Sequence, residues 1–206
     1  LGMFTTLIAV RKTYMKIAKK INDEGYDLAF VTQCKVCNTP FVLKYLKIPS
    51  LYYFHEPLAR CLEPHFWEQI SNSFLKMQLF KFRVLIDRLN AQHASLVCTN
   101  SLYSIENIYR YIGVYPRLCR LGIDLNIFKP KQLKRVKKIL SVGFLSSAKG
   151  QDFLINSVGT ITPVTDRPSI SFIYTMDHNN YRSSLQKLAD DNGVSISFSQ
   201  MVNEVD

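Results

Sequence analysis

Short apolar runs alternate along the chain with longer segments in which apolar residues recur every three or four positions. The apolar runs predict buried strands at residues 27–32, 50–54, 94–99, 139–142, 170–175 and 194–198, with a shorter extended segment at 117–121. The periodic segments predict helices at residues 5–23, 38–45, 67–93, 101–111, 150–158 and 180–191. Strands that are apolar on both faces and separated by helices are typical of parallel sheets with a helix layer on each side.

Polar residues and a glycine mark several predicted helix ends. Gly25 is placed to end the first helix, because glycine readily adopts the left-handed conformation that often follows the last helical turn. Asn38 is expected to cap the second helix, with Pro40 tolerated in its first turn. Asn100 and Ser101 form a further N-cap pair where a strand is followed by a helix.

A basic run divides this series of elements. Residues 129–138 read KPKQLKRVKK, with six cations in ten residues. We therefore predict an α/β fold of two Rossmann-like parallel-sheet units, both incomplete, with residues 1–128 as the first unit, 129–138 as a basic linker and 139–206 as the second. The linker is either simply solvated or helps to hold an anionic ligand or lipid.

The composition is that of an ordinary globular protein, and its charge indicates anionic partners. Of 206 residues, 47% are hydrophobic, which is enough to bury a sizeable core. The formal net charge is +10, so the surface attracts nucleotide phosphates, acidic lipid or nucleic acid. The cations are spread along helices and a linker without a recognisable nucleic-acid-binding module, so we expect no nucleic-acid partner.

Residues 67–93 are predicted to form a long basic amphipathic helix with Phe74, Leu75, Phe82 and Leu85 among its apolar residues. Such a helix either packs its apolar face against a sheet or lies on an anionic membrane surface. Residues 1–10 are also apolar, but they are far too few to span a bilayer. We therefore expect a cytoplasmic protein, either without membrane contact or peripheral at the cytoplasmic face of a membrane.

The cysteines are odd in number and scattered along the chain, at Cys34, Cys37, Cys61, Cys98 and Cys119. This distribution indicates reduced thiols in a cytoplasmic protein and not a disulfide framework. Cys34 and Cys37 form a C-x-x-C motif, but a zinc site needs a second ligand pair at suitable spacing, and no other close Cys/Cys or Cys/His pair is present. We expect two structural thiols and no metal.

Lys149 stands where a predicted strand is followed by a helix, within ILSVGFLSSAKGQDFLINSV (139–158). A helix N-terminus exposes unpaired N–H groups and a partial positive charge, and a nearby ammonium reinforces its attraction for an anion. The alternative is an exposed loop lysine without a ligand. A Walker-type phosphate loop fits poorly, because that motif has Gly before the lysine and Ser or Thr after it, whereas here Ala148 precedes and Gly150 follows.

Five motifs occur in order along nearly the whole chain: YYFHEP (52–57), CTNSLYSIENI (98–108), RLGIDLNIFKP (120–130), ILSVGFLSSAKGQDFLINS (139–157) and LQKLADDNGVSISF (185–198). Together they resemble the group 1 family of retaining glycosyltransferases. The resemblance implies the GT-B architecture, in which the active site lies in the cleft between two Rossmann-like domains. The sequence begins after the family's first strand and glycine-rich loop and stops before its paired glutamates, so we expect a fragment that lacks both ends and is inactive alone.

The resemblance also implies a reaction, namely transfer of a sugar from a nucleotide diphosphate sugar to a lipid-linked sugar, a glycan or another hydroxyl, without a metal or other cofactor. It implies that Gly143, Lys149 and Gly150 hold the donor diphosphate, where fixed cations stabilise the charge on the leaving group.

The resemblance further implies that His55 is the catalytic residue near the acceptor and donor sugar, and that Gly122 and Asp124 form the turn between the domains. His55 follows a predicted strand, at the edge where ligands bind open parallel sheets. The alternatives are a core or capping histidine and a purely architectural turn.

Two positions depart from the family pattern. Phe144 stands where many members carry an arginine that supplies a second diphosphate cation, and the segment YTMDHNN (174–180) lacks the usual glycine-rich turn for the nucleotide. The alternative function is a non-catalytic basic module that binds an anionic membrane surface.

Overall fold

The computed structural model describes residues 2–58, 74–130 and 134–200. The chain divides into two compact units, Leu1–Phe128 and Lys129–Asp206. Each unit is built on a sheet of parallel strands, four in the first unit and three in the second. The predicted α/β fold with two Rossmann-like parallel-sheet units is therefore confirmed.

The first unit begins with helix α1, Gly2–Asp23, and Gly25 lies just beyond its end with a φ of +75°. Its strands are paired in chain order and are β1 (Ala29–Thr32), β2 (Ser50–Tyr53), β3 (Leu96–Thr99) and β4 (Arg117–Leu118). Helix α2, Phe74–Ala91, precedes β3, and helix α3, Leu102–Ile112, connects β3 to β4.

The main core of the first unit lies on one face of its sheet. Alternate strand residues such as Val31, Tyr52 and Val97 are buried there, in register with one another. Three helices cover this face through Ala18 of α1, Ala91 of α2, and Ile108 and Ile112 of α3. On the opposite face Phe30 is 64% exposed.

The second unit contains β5 (Lys138–Val142), β6 (Ser169–Tyr174) and β7 (Ile196–Gln200), with α4 (Gln151–Gly159) and α5 (Tyr181–Asn192) between them. Both helices pack on the face that carries Ile170 and Phe172. On the other face Leu140 and Val142 are 60% and 63% exposed. The described helices in the two main cores therefore pack on one face of each sheet, and a helix layer on the opposite faces stays a prediction.

The expected helix at residues 38–45, with Asn38 as its cap, is wrong in type and bounds. Asn38 has a φ of +54°, and only the 3₁₀ turn Phe41–Lys44 is helical, with no side-chain cap. The Asn38 amide instead donates a hydrogen bond to Asp87 Oδ2 at 2.8 Å. This long-range contact replaces the local capping that the sequence suggested.

Helix α2 is buried through polar and small residues. Asp87, Asn90 and Ala91 form its buried positions, whereas the apolar residues expected to face a sheet are exposed, namely Phe74, Leu75, Phe82 and Leu85. Residues 67–73 of the predicted helix lie outside the described residues. No described helix is both long and apolar enough to cross a membrane.

Candidate functional site

A cavity of about 620 Å³ opens in the first unit where β2, β3 and β4 end. The carboxyl ends of parallel strands meet at one edge of a sheet, which is where ligands bind in open α/β sheets. Residues that follow each of the three strands line the cavity, together with part of α3: His55, Glu56, Pro57, Asn100, Ser101, Tyr103, Ser104, Asn107, Arg120 and Leu121.

Backbone hydrogen bonds to the Gln33 side chain hold the loop that carries His55. The His55 N–H donates to Gln33 Oε1 at 3.0 Å, and Gln33 Nε2 donates to the Glu56 carbonyl at 2.7 Å. The imidazole is exposed and lies edge-on to the Tyr53 ring, with 5.0 Å between ring centroids. His55 is therefore a positioned cavity residue and not a core histidine.

Asp87 lies beneath this loop and is fully buried. Its Oδ2 accepts hydrogen bonds from Asn38 Nδ2 and the Leu58 N–H at 3.2 Å, and its Oδ1 accepts from the Thr39 N–H at 2.9 Å and from the Thr39 hydroxyl. Burial raises the pKa of Asp87 above the usual carboxyl value, although these hydrogen bonds oppose the shift. The carboxylate of Asp87, a residue of α2, thus connects this helix to the segment after β1, through Asn38 and Thr39, and to the His55 loop, through Leu58.

The start of α3 forms the other side of the cavity. Ser101 Oγ accepts from the Ser104 N–H at 3.1 Å, and Asn100 Oδ1 accepts from the Ser104 hydroxyl at 3.1 Å. Capping by Ser101 is therefore confirmed, and Asn100 supports it through Ser104.

Asn107 and Arg120 are among the polar cavity residues that the sequence alone did not single out. Asn107 is only 5% exposed, and its side chain has no hydrogen-bond partner within the described part of the chain. Arg120 is exposed and follows β4. Both residues lie within quoted motifs, Asn107 in CTNSLYSIENI (98–108) and Arg120 at the start of RLGIDLNIFKP (120–130), but neither motif marks them as cavity residues.

The second unit has a smaller cavity, of about 180 Å³, at the carboxyl ends of β5 and β6. It is lined by Gly143 and Lys149 together with Val142, Phe144, Ile173 and Thr175. Lys149 ends the 3₁₀ turn Ser147–Lys149, and Gly150 alone separates it from α4. Its ammonium is exposed and has no ion-pair partner among the residues that the structure describes.

Glycines shape the backbone on both sides of this cavity. Gly143 has a φ of +154° and donates its N–H to the Ile173 carbonyl at 3.0 Å. Gly150 has a φ of +68° and precedes the first turn of α4, but it does not line the cavity. The structure thus places Gly143 and Lys149 together, with Gly150 at the adjacent helix start.

Phe144 occupies the position where the resemblance calls for an arginine. Its ring lies edge-on to His178, with 6.0 Å between centroids, and its carbonyl accepts a hydrogen bond from Gln151 Nε2 at 2.7 Å. The residue therefore has a packing role, and Lys149 is the cation among the residues lining the cavity.

Asp124 has an architectural contact. Its Oδ1 accepts from the Asn126 N–H at 2.8 Å, and its carbonyl accepts from the Phe128 N–H at 2.9 Å, so it closes the turn before the second unit. Gly122 needs no special backbone freedom, because its φ lies outside the left-handed region and a Cβ there would meet no atom within 4 Å.

Comparison with protein-family models gave no match, and a search of curated proteins gave none either. Among the described residues, no group of three or more His, Cys, Asp or Glu side chains is placed to hold a metal ion. The two cavities are therefore the features of this chain from which a function can be proposed.

Proposed function

We propose that the chain is part of a metal-independent, retaining glycosyltransferase that moves a sugar from a nucleotide diphosphate sugar to an acceptor hydroxyl. The observation that carries this proposal is the cavity of the second unit, where Gly143 and Lys149 meet at the carboxyl ends of β5 and β6 beside the start of α4. We assign the donor diphosphate to this position.

The chemistry of sugar transfer suits such a position. As the bond between the sugar and the diphosphate breaks, negative charge develops on the leaving oxygen, and a fixed cation stabilises it. The exposed Lys149 ammonium supplies that charge, and the unpaired N–H groups of the first turn of α4 add to it. Because Phe144 replaces a second cation, Lys149 carries a larger share of the diphosphate affinity than in a site with two cations.

The cavity of the first unit suits a polar acceptor. Its volume of about 620 Å³ is within the usual range for small-molecule sites. His55, Ser101, Asn107 and Arg120 offer hydrogen-bonding groups at its wall. We assign the acceptor to this cavity, as a glycan, a lipid-linked sugar or another hydroxyl compound, with His55 as the residue that orients it. The proposed location is the cytoplasm or the cytoplasmic face of a membrane.

Isothermal titration calorimetry with UDP-, GDP- and ADP-sugars tests the donor assignment without requiring turnover. Hydrogen bonds to charged groups contribute about 1.5–3 kcal/mol, so Lys149→Ala should weaken the binding of the preferred donor by at least about tenfold. Lys187→Ala removes another exposed lysine of the same unit and should leave the affinity unchanged. Equal affinities for wild type and Lys149→Ala would remove the basis of the proposal.

A second candidate is a peripheral module on an anionic membrane, and the exposed apolar side of α2 favours it. Phe74, Leu75, Leu85 and Leu89 are exposed. Leu85 and Leu89 line an apolar groove of about 350 Å³ that also contains Arg11 and Lys44. Apolar side chains beside cations are typical of interfacial helices. The two candidates are compatible, since a lipid-linked acceptor would be met at such a surface.

Vesicle sedimentation tests the membrane candidate. Binding to vesicles that contain phosphatidylserine, lost in neutral vesicles and weakened by Leu85→Ser, would support membrane contact through α2. Leu140→Ser removes an exposed leucine of the second unit and serves as the matched control. Equal sedimentation with both kinds of vesicle, or an equal effect of the two substitutions, would contradict it.

A further inference from the structure

Cys34 and Cys37 lie on a tight turn that follows β1, and their thiols are within hydrogen-bond reach of each other. The Cys34 N–H donates to the Asn38 carbonyl at 2.7 Å, and the two residues form an antiparallel bridge across the turn. Cys34 Sγ accepts from the Val36 N–H at 3.4 Å. Cys37 is 4% exposed, in a small apolar cluster against which the half-buried Cys34 packs.

The two thiols have different surroundings. Burial alone would raise the pKa of Cys34, but hydrogen bonds from the Tyr14 hydroxyl, the backbone N–H groups of Cys37 and Val36, and the Cys37 thiol lower it below its usual value. Burial, together with the neighbouring Cys34, raises the pKa of Cys37 to about 12. The turn thus stabilises a thiolate on the accessible cysteine and keeps the buried cysteine protonated.

We propose that Cys34 and Cys37 are a redox-active dithiol, a modification site that forms a reversible disulfide within the turn. The oxidant is a low-molecular-weight disulfide. The Cys34 thiolate attacks one of its sulfurs and releases the first thiolate. Cys37 Sγ then loses its proton, attacks Cys34 Sγ and releases the second, so two electrons pass from the protein to the oxidant. This inference goes beyond the proposed function and does not depend on it.

The residues that flank the motif hold the His55 loop. Gln33, directly before Cys34, bonds both the His55 N–H and the Glu56 carbonyl. Asn38, directly after Cys37, donates to the Glu56 carbonyl at 3.4 Å and accepts from Gln33 Nε2 at 2.7 Å. A disulfide that changes the turn between them therefore changes the support of the cavity wall.

Lys35 lies between the two cysteines, which gives a direct assay. After equilibration of the folded chain with glutathione and glutathione disulfide, acid quenching and alkylation, trypsin releases residues 21–35 and 36–44 as separate peptides. We expect mass spectrometry to find this pair linked under oxidising conditions and the link lost after reduction. The exposed Cys119 provides the control, because Cys119→Ser should leave the linked pair unchanged.

Variants distinguish the roles of the two thiols. Cys37→Ser should accumulate a mixed disulfide with glutathione on Cys34, whereas Cys34→Ser should lose both the link and any adduct on the buried Cys37. In the wild type, which needs no substitution, native alkylation at pH 7 should be faster at Cys34 than at Cys119. Absence of the linked pair while Cys119 is glutathionylated, or faster alkylation of Cys119, would overturn the proposal.

The coupling to the cavity has its own readout. Oxidation of the wild type should shift the backbone amide resonances of His55 and Leu58 more than those of the second unit, and Cys37→Ser should abolish the shift. A linked pair without any change at His55 would overturn the coupling, although the dithiol itself would stand.

Discussion

The buried carboxylate of Asp87 gives a sharp prediction about stability. In Asp87→Asn, one carboxylate oxygen becomes an NH₂ group that must face two donors, either Asn38 Nδ2 and the Leu58 N–H or the two donors of Thr39. Each buried donor left without an acceptor costs about 1–3 kcal/mol, and removal of a buried charge returns part of that loss. We expect the free energy of unfolding of the first unit to fall by about 2–4 kcal/mol.

Urea unfolding followed by circular dichroism measures this loss, and hydrogen exchange assigns the transition to the first unit. The matched control is Asp166→Asn, which removes a carboxylate that is 60% exposed in an ion pair with Lys137 and should have little effect. A change for Asp87→Asn no larger than that of the control would show that the network does not stabilise the fold.

The pH dependence of this difference has a defined sign. The pKa of Asp87 is raised in the folded state above the unfolded value of 3.8. The folded state therefore binds a proton at Asp87 more tightly than the unfolded state does, and this contribution to folding is fully present below pH 3.8. That contribution is lost as the pH rises through the raised folded-state pKa. The stability advantage of wild type over Asp87→Asn should therefore shrink as the pH rises, and an advantage that grows instead would contradict the burial argument.

Three further substitutions, with Gly122→Ala as a control for one of them, test local contacts. Ser101→Ala removes the N-cap of α3 and should lower the urea-derived stability of the first unit by about 1 kcal/mol; no change would mean that Ser101 does not act as a cap. Gly113→Ala places a side chain at a φ of +79° and should cost about 1–2 kcal/mol, whereas Gly122→Ala, in open space, should be neutral in the same assay; equal effects would contradict the conformational argument. The Arg167 guanidinium donates hydrogen bonds to the carbonyls of Gly159, Ile161, Asn192 and Gly193. Arg167→Lys breaks these bonds and should lower the free energy of unfolding of the second unit, measured by thermal unfolding, by about 2–3 kcal/mol without affecting the first unit.

Local patterns predicted most elements because the strands are short apolar runs bounded by polar residues. They failed where a distant partner decides the structure. Asn38 looks like a local helix cap, yet Asp87, 49 positions away, takes its amide. In α2 the positions of the apolar residues predicted the wrong buried face. Asp87 and Asn90 are buried there because they form hydrogen bonds with residues 38, 39 and 58, and the spacing of apolar residues contains no information about such bonds.

The two cavities differ in the same way: local sequence predicts one of them, and the other depends on distant residues. Gly143 and Lys149 are close in sequence, so a strand-to-helix motif sufficed to predict that they lie together. The first-unit cavity draws on three separate loops and a helix, and its polar residues Asn107 and Arg120 join His55 only through the sheet. Sequence spacing contains no signal for such a contact until the strand order is known.

The most direct test of the donor assignment is amide chemical-shift mapping of the labelled chain with UDP and GDP. The proposed function predicts saturable shifts that are largest at Gly143, Phe144, Lys149 and Gly150, lost in Lys149→Ala and retained in Lys187→Ala. Shifts confined to other basic residues of the second unit, such as Lys134 to Lys138, or the same shifts in Lys149→Ala, would contradict it.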